Sequence, residues 1–148
     1  MRRAEGERLA DELRERLRVM EAAMARVADR APQRLVEQRD RLRAAVRELT
    51  EGLAVDEARL AQEIAIHADR LDVQEEVARF ASHLAAFRAA LDRPPADGVG
   101  KRLGFLVQEL LREANTTGSK ANDAAIVQEV VAVKEELERI REQVENVE

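Results

Sequence analysis

Hydrophobic residues recur at intervals of three and four along most of the chain, which is the period of an amphipathic α-helix. In the first segment, residues 5–31, the stripe consists of Leu9, Leu13, Leu17, Met20, Met24 and Val27. In the last segment, from about residue 122, it consists of Ile126, Val130, Val133, Leu137, Ile140, Val144 and Val147. Because a single helix cannot bury its own stripe, each pattern predicts a partner helix.

Prolines and glycines divide the pattern into about six helices. Proline disfavours a helical conformation in the residue before it, so Pro32 predicts a break and a second helix over 32–50. Gly52 is expected to end that helix, and Asp56 can cap a third. The strongest break is 93–100, which holds two prolines and two glycines and predicts a loop.

Two further boundaries complete the predicted organisation. Asp72 with Glu75 three positions later resembles a capping box and predicts a new helix start. Residues 115–119 are polar and predict a turn between the last two helices. We therefore expect an all-α, multi-helix antiparallel bundle. Residues 1–55 would form a long helical hairpin, and residues 56–148 a second helical domain.

Composition and charge narrow the functional classes. The formal net charge of the 148 residues is −5, which argues against a protein that is basic throughout, although a local basic patch can still bind RNA. The absence of cysteine excludes disulfides and thiolate metal sites. No hydrophobic run is long enough to span a membrane, and the first residues lack the apolar stretch of a secretory signal. A cytoplasmic location is therefore expected.

Polar side chains suited to binding phosphate or a metal are concentrated between residues 99 and 122. They are Lys101, Arg102, Gln108, Glu109, Arg112, Glu113, Asn115, Thr116, Ser119 and Lys120. Backbone amides in 116–119, just ahead of the last helix, could also meet an anion at its N-terminus. A solvated helix face followed by a capped turn explains the same residues, and the pattern alone favours that simpler interpretation.

A second polar cluster surrounds His83. Glu75, Arg79 and His83 are spaced by four and Glu76 lies three before Arg79, so all four share one helix face. Histidine beside carboxylates can act as a general acid or base, and carboxylates brought together can hold Mg²⁺ or Mn²⁺. A surface salt bridge and a partly buried histidine are the simpler explanation.

The aromatic residues give no sign of base stacking. The chain has no tryptophan or tyrosine. Its three phenylalanines, Phe80, Phe87 and Phe105, all fall where we expect the core. RNA binding through aromatic side chains is therefore not expected.

The stretch 99–120, which reads VGKRLGFLVQELLREANTTGSK, resembles a signature of the YicC/YloC family of bacterial endoribonucleases. The resemblance extends to DVQEE at 72–76, SHL at 82–84 and the ending RIREQVENVE at 139–148. It covers most of residues 57–148. Gly104 departs from it, because the family tends to place an acidic residue there.

The resemblance implies a bacterial, cytoplasmic, metal-dependent endoribonuclease that cleaves RNA phosphodiester bonds and assembles into a ring-like homo-oligomer, a hexamer in the full-length family. It implies Mg²⁺ or Mn²⁺ held by Glu75, Glu76, Glu109 and Glu113. It implies catalytic roles for His83, Glu109 and Glu113. It implies RNA or phosphate binding by Lys101, Arg102, Gln108, Arg112, Asn115, Thr116, Ser119 and Lys120.

The family usually carries an N-terminal domain about as large again as this chain, and we expect only the last helical part of it here, in residues 1–31. The chain would then be a fragment, and it would be inactive alone if the missing domain builds the RNA channel or the oligomer. Two other functions stay open. One is an RNA-binding or adaptor module without activity of its own, and the other is a helical oligomerisation element.

Overall fold

Five α-helices account for most of residues 2–146, the part of the chain that the computed structural model describes. They are α1 (Arg2–Leu49), α2 (Glu57–Leu71), α3 (Gln74–Asp92), α4 (Val99–Ala121) and α5 (Ala124–Glu145). No strand occurs in this range, so the all-α prediction is confirmed. The expected count of about six helices is wrong by one, because a single α1 replaces the first two.

The first part of α1 forms an antiparallel four-helix bundle with α3, α4 and α5. Each of these helices packs against two of the others, in the cyclic order α1, α3, α4, α5. The core is filled by the predicted stripes and by residues of α3 and α4, among them Leu13, Leu17, Met20, Val27, Phe80, Phe87, Leu106, Leu110, Val133, Leu137 and Ile140. Burying each large side chain contributes about 1.5–3 kcal/mol. Val147 lies outside the described residues.

Helix α1 continues through Pro32, so the predicted break and the hairpin within residues 1–55 are wrong. Proline inside a helix costs about 3 kcal/mol because it removes one backbone hydrogen bond. Contacts with α5 and with the α4–α5 connection hold the helix on both sides of Pro32. Before it, Arg26 bonds Glu129, and after it, Arg34 donates to the Asn122 carbonyl at 2.8 Å. Tertiary packing therefore outweighs the local preference. The domain boundary at residue 55 stays a prediction.

The later half of α1 pairs instead with α2. The connection over 50–56 contains Gly52 at φ +80°, a conformation that favours glycine. Asp56 caps α2 as predicted, because its carboxylate accepts from the amides of Ala58 and Arg59. Ile64 is the buried residue of α2. This helix pair is therefore packed less completely than the bundle.

The connections before and after α3 follow the sequence prediction. Asp72 lies between α2 and α3, and its carboxylate accepts from the Gln74 amide at 2.9 Å. The break at 93–98 is present, and Gly98 precedes α4 at φ +103°. No helix among residues 2–146 is both long and apolar enough to cross a membrane.

Helix α4 runs without interruption through 115–119, so the predicted turn is wrong. The Thr116 and Thr117 hydroxyls donate to the carbonyls of Arg112 and Glu113, which satisfies these side chains within the helix. The helix ends at Ala121, Asn122 adopts the left-handed conformation, and Asp123 caps α5. Amides that were expected to bind an anion ahead of α5 are therefore inside a helix.

Candidate functional site

One face of α4 belongs to the core of the bundle. It carries the buried side chains of Leu103, Leu106, Val107, Leu110, Ala114, Thr117 and Ala121. None of the predicted site residues is in this set. The polar residues of α4 are therefore available on the remaining two faces of the helix.

The second face is an exposed stripe at alternating intervals of four and three. It consists of Lys101, Phe105, Gln108, Arg112, Asn115 and Ser119, all of which are exposed. With about 100° per residue, these positions lie within a narrow sector of the helix. We call this set the exposed stripe of α4. It includes five of the residues that the family resemblance assigns to RNA binding.

The third face of α4 meets α3. Arg79 of α3 donates to Glu113 at 3.0 Å, and Lys120 donates to Glu76 of α3 at 2.9 Å. Between α4 and α3, one oxygen of Glu109 lies 3.9 Å from His83 Nε2. We call the resulting group the α3–α4 polar cluster, which consists of Glu75, Glu76, Arg79, His83, Glu109, Glu113 and Lys120. The structure thus brings together two clusters that are separate in the sequence.

Two glutamates of this cluster are buried and held by cations. Glu76 is 3% exposed and Glu113 is 6% exposed. Burial raises the pKa of Glu76, but the hydrogen bond from Lys120 and the charge of Arg79 oppose it, and the net effect lowers this pKa. The hydrogen bond to Glu113 raises the pKa of Arg79. The Arg79–Glu113 and Lys120–Glu76 hydrogen bonds tie α3 to α4.

The carboxylates of the cluster do not fit a metal site as they are arranged. Glu75, Glu76 and Glu113 all turn towards the guanidinium of Arg79. Glu76 also forms an ion pair with Lys120. Within residues 2–146, no three acidic or histidine side chains are placed where they could hold one ion. One oxygen of Glu76 is buried without a hydrogen-bond partner, but a single oxygen is too few for Mg²⁺ or Mn²⁺. The described residues therefore contain no preformed site for the predicted metal ion.

The His83–Glu109 pair is the part of the cluster best placed for proton transfer. Both side chains are about a quarter exposed, at 25% and 26%. The distance of 3.9 Å between His83 Nε2 and the Glu109 oxygen is longer than a hydrogen bond. Distances of this kind commonly shorten when substrate binds.

Phe105 corrects the prediction that all three phenylalanines belong to the core. Phe80 and Phe87 are fully buried, but Phe105 is 54% exposed. The guanidinium carbon of Arg102 lies 5.7 Å from the centre of its ring. The signal was present in the sequence, because Phe105 has the same helical spacing as the polar Lys101 and Arg112 rather than that of the core residues.

The remaining predicted residues lie beside these groups. Arg102 and Thr116 flank the third face of α4. Arg102 is exposed, and the Thr116 hydroxyl is used by the helix itself. Glu75 is exposed on α3 and pairs with Arg79. The individual catalytic, metal-binding and RNA-binding roles stay predictions.

Comparison with known proteins identifies the relationship. Residues 27–148 match the family model described as Endoribonuclease YicC-like, C-terminal. The chain is 38% identical over 149 aligned positions to a protein of Clostridioides difficile (strain 630) named "Probable endoribonuclease YicC". It is 36% identical over 148 positions to a protein of the same name from Haemophilus influenzae. All of this chain is covered in both cases, and it spans about half the length of each relative.

Proposed function

Because the chain belongs to the YicC-like endoribonuclease family, we propose that it supplies an RNA-binding surface and a proton-transfer pair for the cleavage of RNA. RNA lies along the exposed stripe of α4, and the reacting phosphodiester lies beside His83 and Glu109. The observation that carries this proposal is the position of the His83–Glu109 pair next to that stripe.

The charges of α4 differ in their availability to RNA. In the described part of the chain, no carboxylate pairs with Lys101, Arg102 or Arg112, and all three are exposed. Lys101 and Arg112 are separated by about 16 Å along the helix, at 1.5 Å per residue. They can therefore contact separate phosphates of one strand. Lys120 is already held by Glu76, so its predicted role in phosphate binding is less favourable.

The chemistry assigned to the pair is general acid–base catalysis. Cleavage of a phosphodiester requires removal of a proton from the attacking hydroxyl, and histidine is the side chain used most often for this step. His83 accepts that proton as the hydroxyl oxygen bonds to phosphorus and the phosphorus–oxygen bond to the leaving strand breaks. The imidazolium then gives the proton to the leaving oxygen, and Glu109 lies beside the ring throughout. Because three of the carboxylates converge on the guanidinium of Arg79 rather than on an open position, no step is assigned to a metal ion. The hexamer, like the metal dependence, stays a prediction.

The test is cleavage of a labelled single-stranded RNA by this chain, with Mn²⁺, with Mg²⁺ and with EDTA. His83→Ala and Glu109→Gln should each reduce the cleavage rate by about a hundredfold or more while RNA binding is retained. His67→Ala is the matched control, because His67 is exposed on α2. Equal cleavage by the His83 and His67 variants would contradict the assignment.

A second candidate function is RNA binding without cleavage. It is favoured by the lack of a preformed metal site within residues 2–146 and by the coverage of only half of each relative. In the same assay this function predicts RNA binding with no cleavage under any of the metal conditions. If RNA does not bind at all, the helical oligomerisation element is the function that remains.

A further inference from the structure

The ring of Phe105 is exposed and lies outside the core of the bundle. Its neighbours along α4, Leu103, Leu106 and Val107, are buried, whereas Phe105 points to the side that carries the polar residues. Leaving a phenylalanine half in water forgoes part of the free energy that its burial would provide. Isolated exposed apolar residues are common, so the argument depends on what surrounds this one.

The surroundings of Phe105 are those of a nucleic-acid surface. Lys101 lies one turn before it and Gln108 and Arg112 lie one and two turns after it on the same exposed stripe. Arg102 places its guanidinium over the ring at 5.7 Å from the centroid. Aromatic rings and arginine guanidinium planes are the two kinds of group on which unpaired bases stack.

We infer that Phe105 and Arg102 form a stacking platform for an unpaired base, so that the RNA substrate is single-stranded where it crosses α4. This inference rests on the proposed function and specifies its substrate class. The bases of a duplex are already stacked on each other and are not available to the ring. Single strands, loops and bulges are therefore the RNA class that this surface selects.

The platform is well placed to set the register of the strand at the candidate site. Glu109 follows Phe105 by four residues, which is about 6 Å along the helix axis. A base held on Phe105 therefore leaves a neighbouring phosphate near the His83–Glu109 pair. Lys101 and Arg112, on either side of Phe105 along the exposed stripe, supply the charges for the phosphates before and after it.

A tryptophan at position 105 gives a direct readout, because the chain contains no tryptophan or tyrosine of its own. The fluorescence of Phe105→Trp should be quenched by a short unpaired oligoribonucleotide and not by a duplex of the same length at equal occupancy. Val131→Trp is the matched control, since Val131 is exposed on α5. Its fluorescence should change with neither RNA. Equal quenching of Phe105→Trp by both RNAs would overturn the inference.

A second pair of variants separates stacking from a purely apolar contact. Phe105→Leu keeps an apolar side chain but removes the ring, and it should weaken binding of the unpaired oligoribonucleotide about tenfold, measured by fluorescence anisotropy. Phe105→Tyr should bind like the unchanged chain. Unchanged RNA affinity in Phe105→Leu would overturn the inference.

Two other outcomes are distinct from these. Loss of self-association in Phe105→Ala with unchanged RNA affinity would identify Phe105 as a protein contact. It would overturn the stacking inference but leave the proposed function standing. Failure of the unchanged chain to bind either RNA would overturn the proposed function, and the stacking inference with it.

Discussion

The polar contacts that join α1 to α5 range from exposed to partly buried, whereas those that join α3 to α4 include two buried carboxylates. The first group, which we call the α1–α5 seam, consists of Arg16, Arg26, Arg30, Asp123, Glu129, Glu136 and Gln143. In the seam, Arg26 and Glu129 are both partly open to water. In the α3–α4 polar cluster, Glu76 and Glu113 are almost completely enclosed.

The difference indicates which charges position the candidate site. A surface ion pair is screened by water and contributes little, so the seam mainly adds to a contact that the apolar core already provides. A buried carboxylate requires its partner, because an uncompensated charge in the interior is costly. Glu76 and Glu113 therefore fix α4 against α3, and with it the spacing of His83 and Glu109.

Removing one carboxylate from each region is the strongest test of this comparison. Glu76→Ala should lower the free energy of unfolding by about 2–3 kcal/mol, because Lys120 loses its partner and a buried space is left. Glu129→Ala in the seam should cost only about 1 kcal/mol, because its partner Arg26 is exposed and can turn to water. Chemical denaturation followed by circular dichroism measures both. Equal losses would show that burial does not distinguish the two regions.

The comparison also predicts where RNA binds. Arg112→Gln on the exposed stripe should weaken RNA binding about tenfold and reduce the dependence of log affinity on log salt by about one. Arg139→Gln on α5 removes another exposed arginine and should change neither quantity. Anisotropy titrations at several salt concentrations provide the measurement. A similar loss in both variants would indicate that RNA binding depends on overall charge rather than on α4.

The contact between α4 and α5 can be tested at two glycines of α4. A Cβ at Gly104 meets nothing within 4 Å, so Gly104→Ala should raise the free energy of unfolding by about 0.5–1 kcal/mol. A Cβ at Gly118 would lie 3.2 Å from Val130 Cγ1, so Gly118→Ala should lower the free energy of unfolding by about 1 kcal/mol. Thermal unfolding of the two variants gives the comparison. Stabilisation by both would mean that α5 moves easily away from α4.

The core was predictable from the sequence because the apolar period depends only on which residues can be buried. Leu17, Phe80 and Leu137 all lie inside as expected. Pro32 was misleading because the contacts that hold α1 on both sides of it come from α5 and the connection before α5, about a hundred residues later in the chain. The polar run 115–119 was misleading for a related reason, since its threonine hydroxyls are satisfied within the helix.

The residues of the candidate site could be predicted from the sequence, but which of them pair with each other could not. The residues on α3 and on α4 each showed helical spacing, but spacing does not reveal that Glu113 meets Arg79 or that Lys120 meets Glu76. These pairs depend on the register of two antiparallel helices. That register is also why carboxylates that look suited to a metal ion in the sequence face a guanidinium in the structure.

Acid should weaken both regions, and this is the smallest effect we predict. Burial raises the pKa of Glu76, but the Lys120 hydrogen bond and Arg79 bring it below its ordinary value of 4.5. The hydrogen bond from Arg30 lowers the pKa of Asp123 below 3.8. A group whose pKa is lowered in the folded state stabilises the fold at pH values above its ordinary pKa. This stability is lost as the pH falls through the folded-state pKa.

Unfolding measured from neutral pH down to about pH 2 should therefore lose free energy mainly below the ordinary carboxylate pKa of about 4. Glu76→Gln and Asp123→Asn should each flatten this dependence while lowering stability at neutral pH. Burial opposes the lowering of both pKa values, but the arginine bond is the largest influence at Asp123, whereas burial is the largest at Glu76. Asp123→Asn should therefore flatten the curve more. A larger effect of Glu76→Gln would show that the buried cluster, rather than the seam, controls the response to acid.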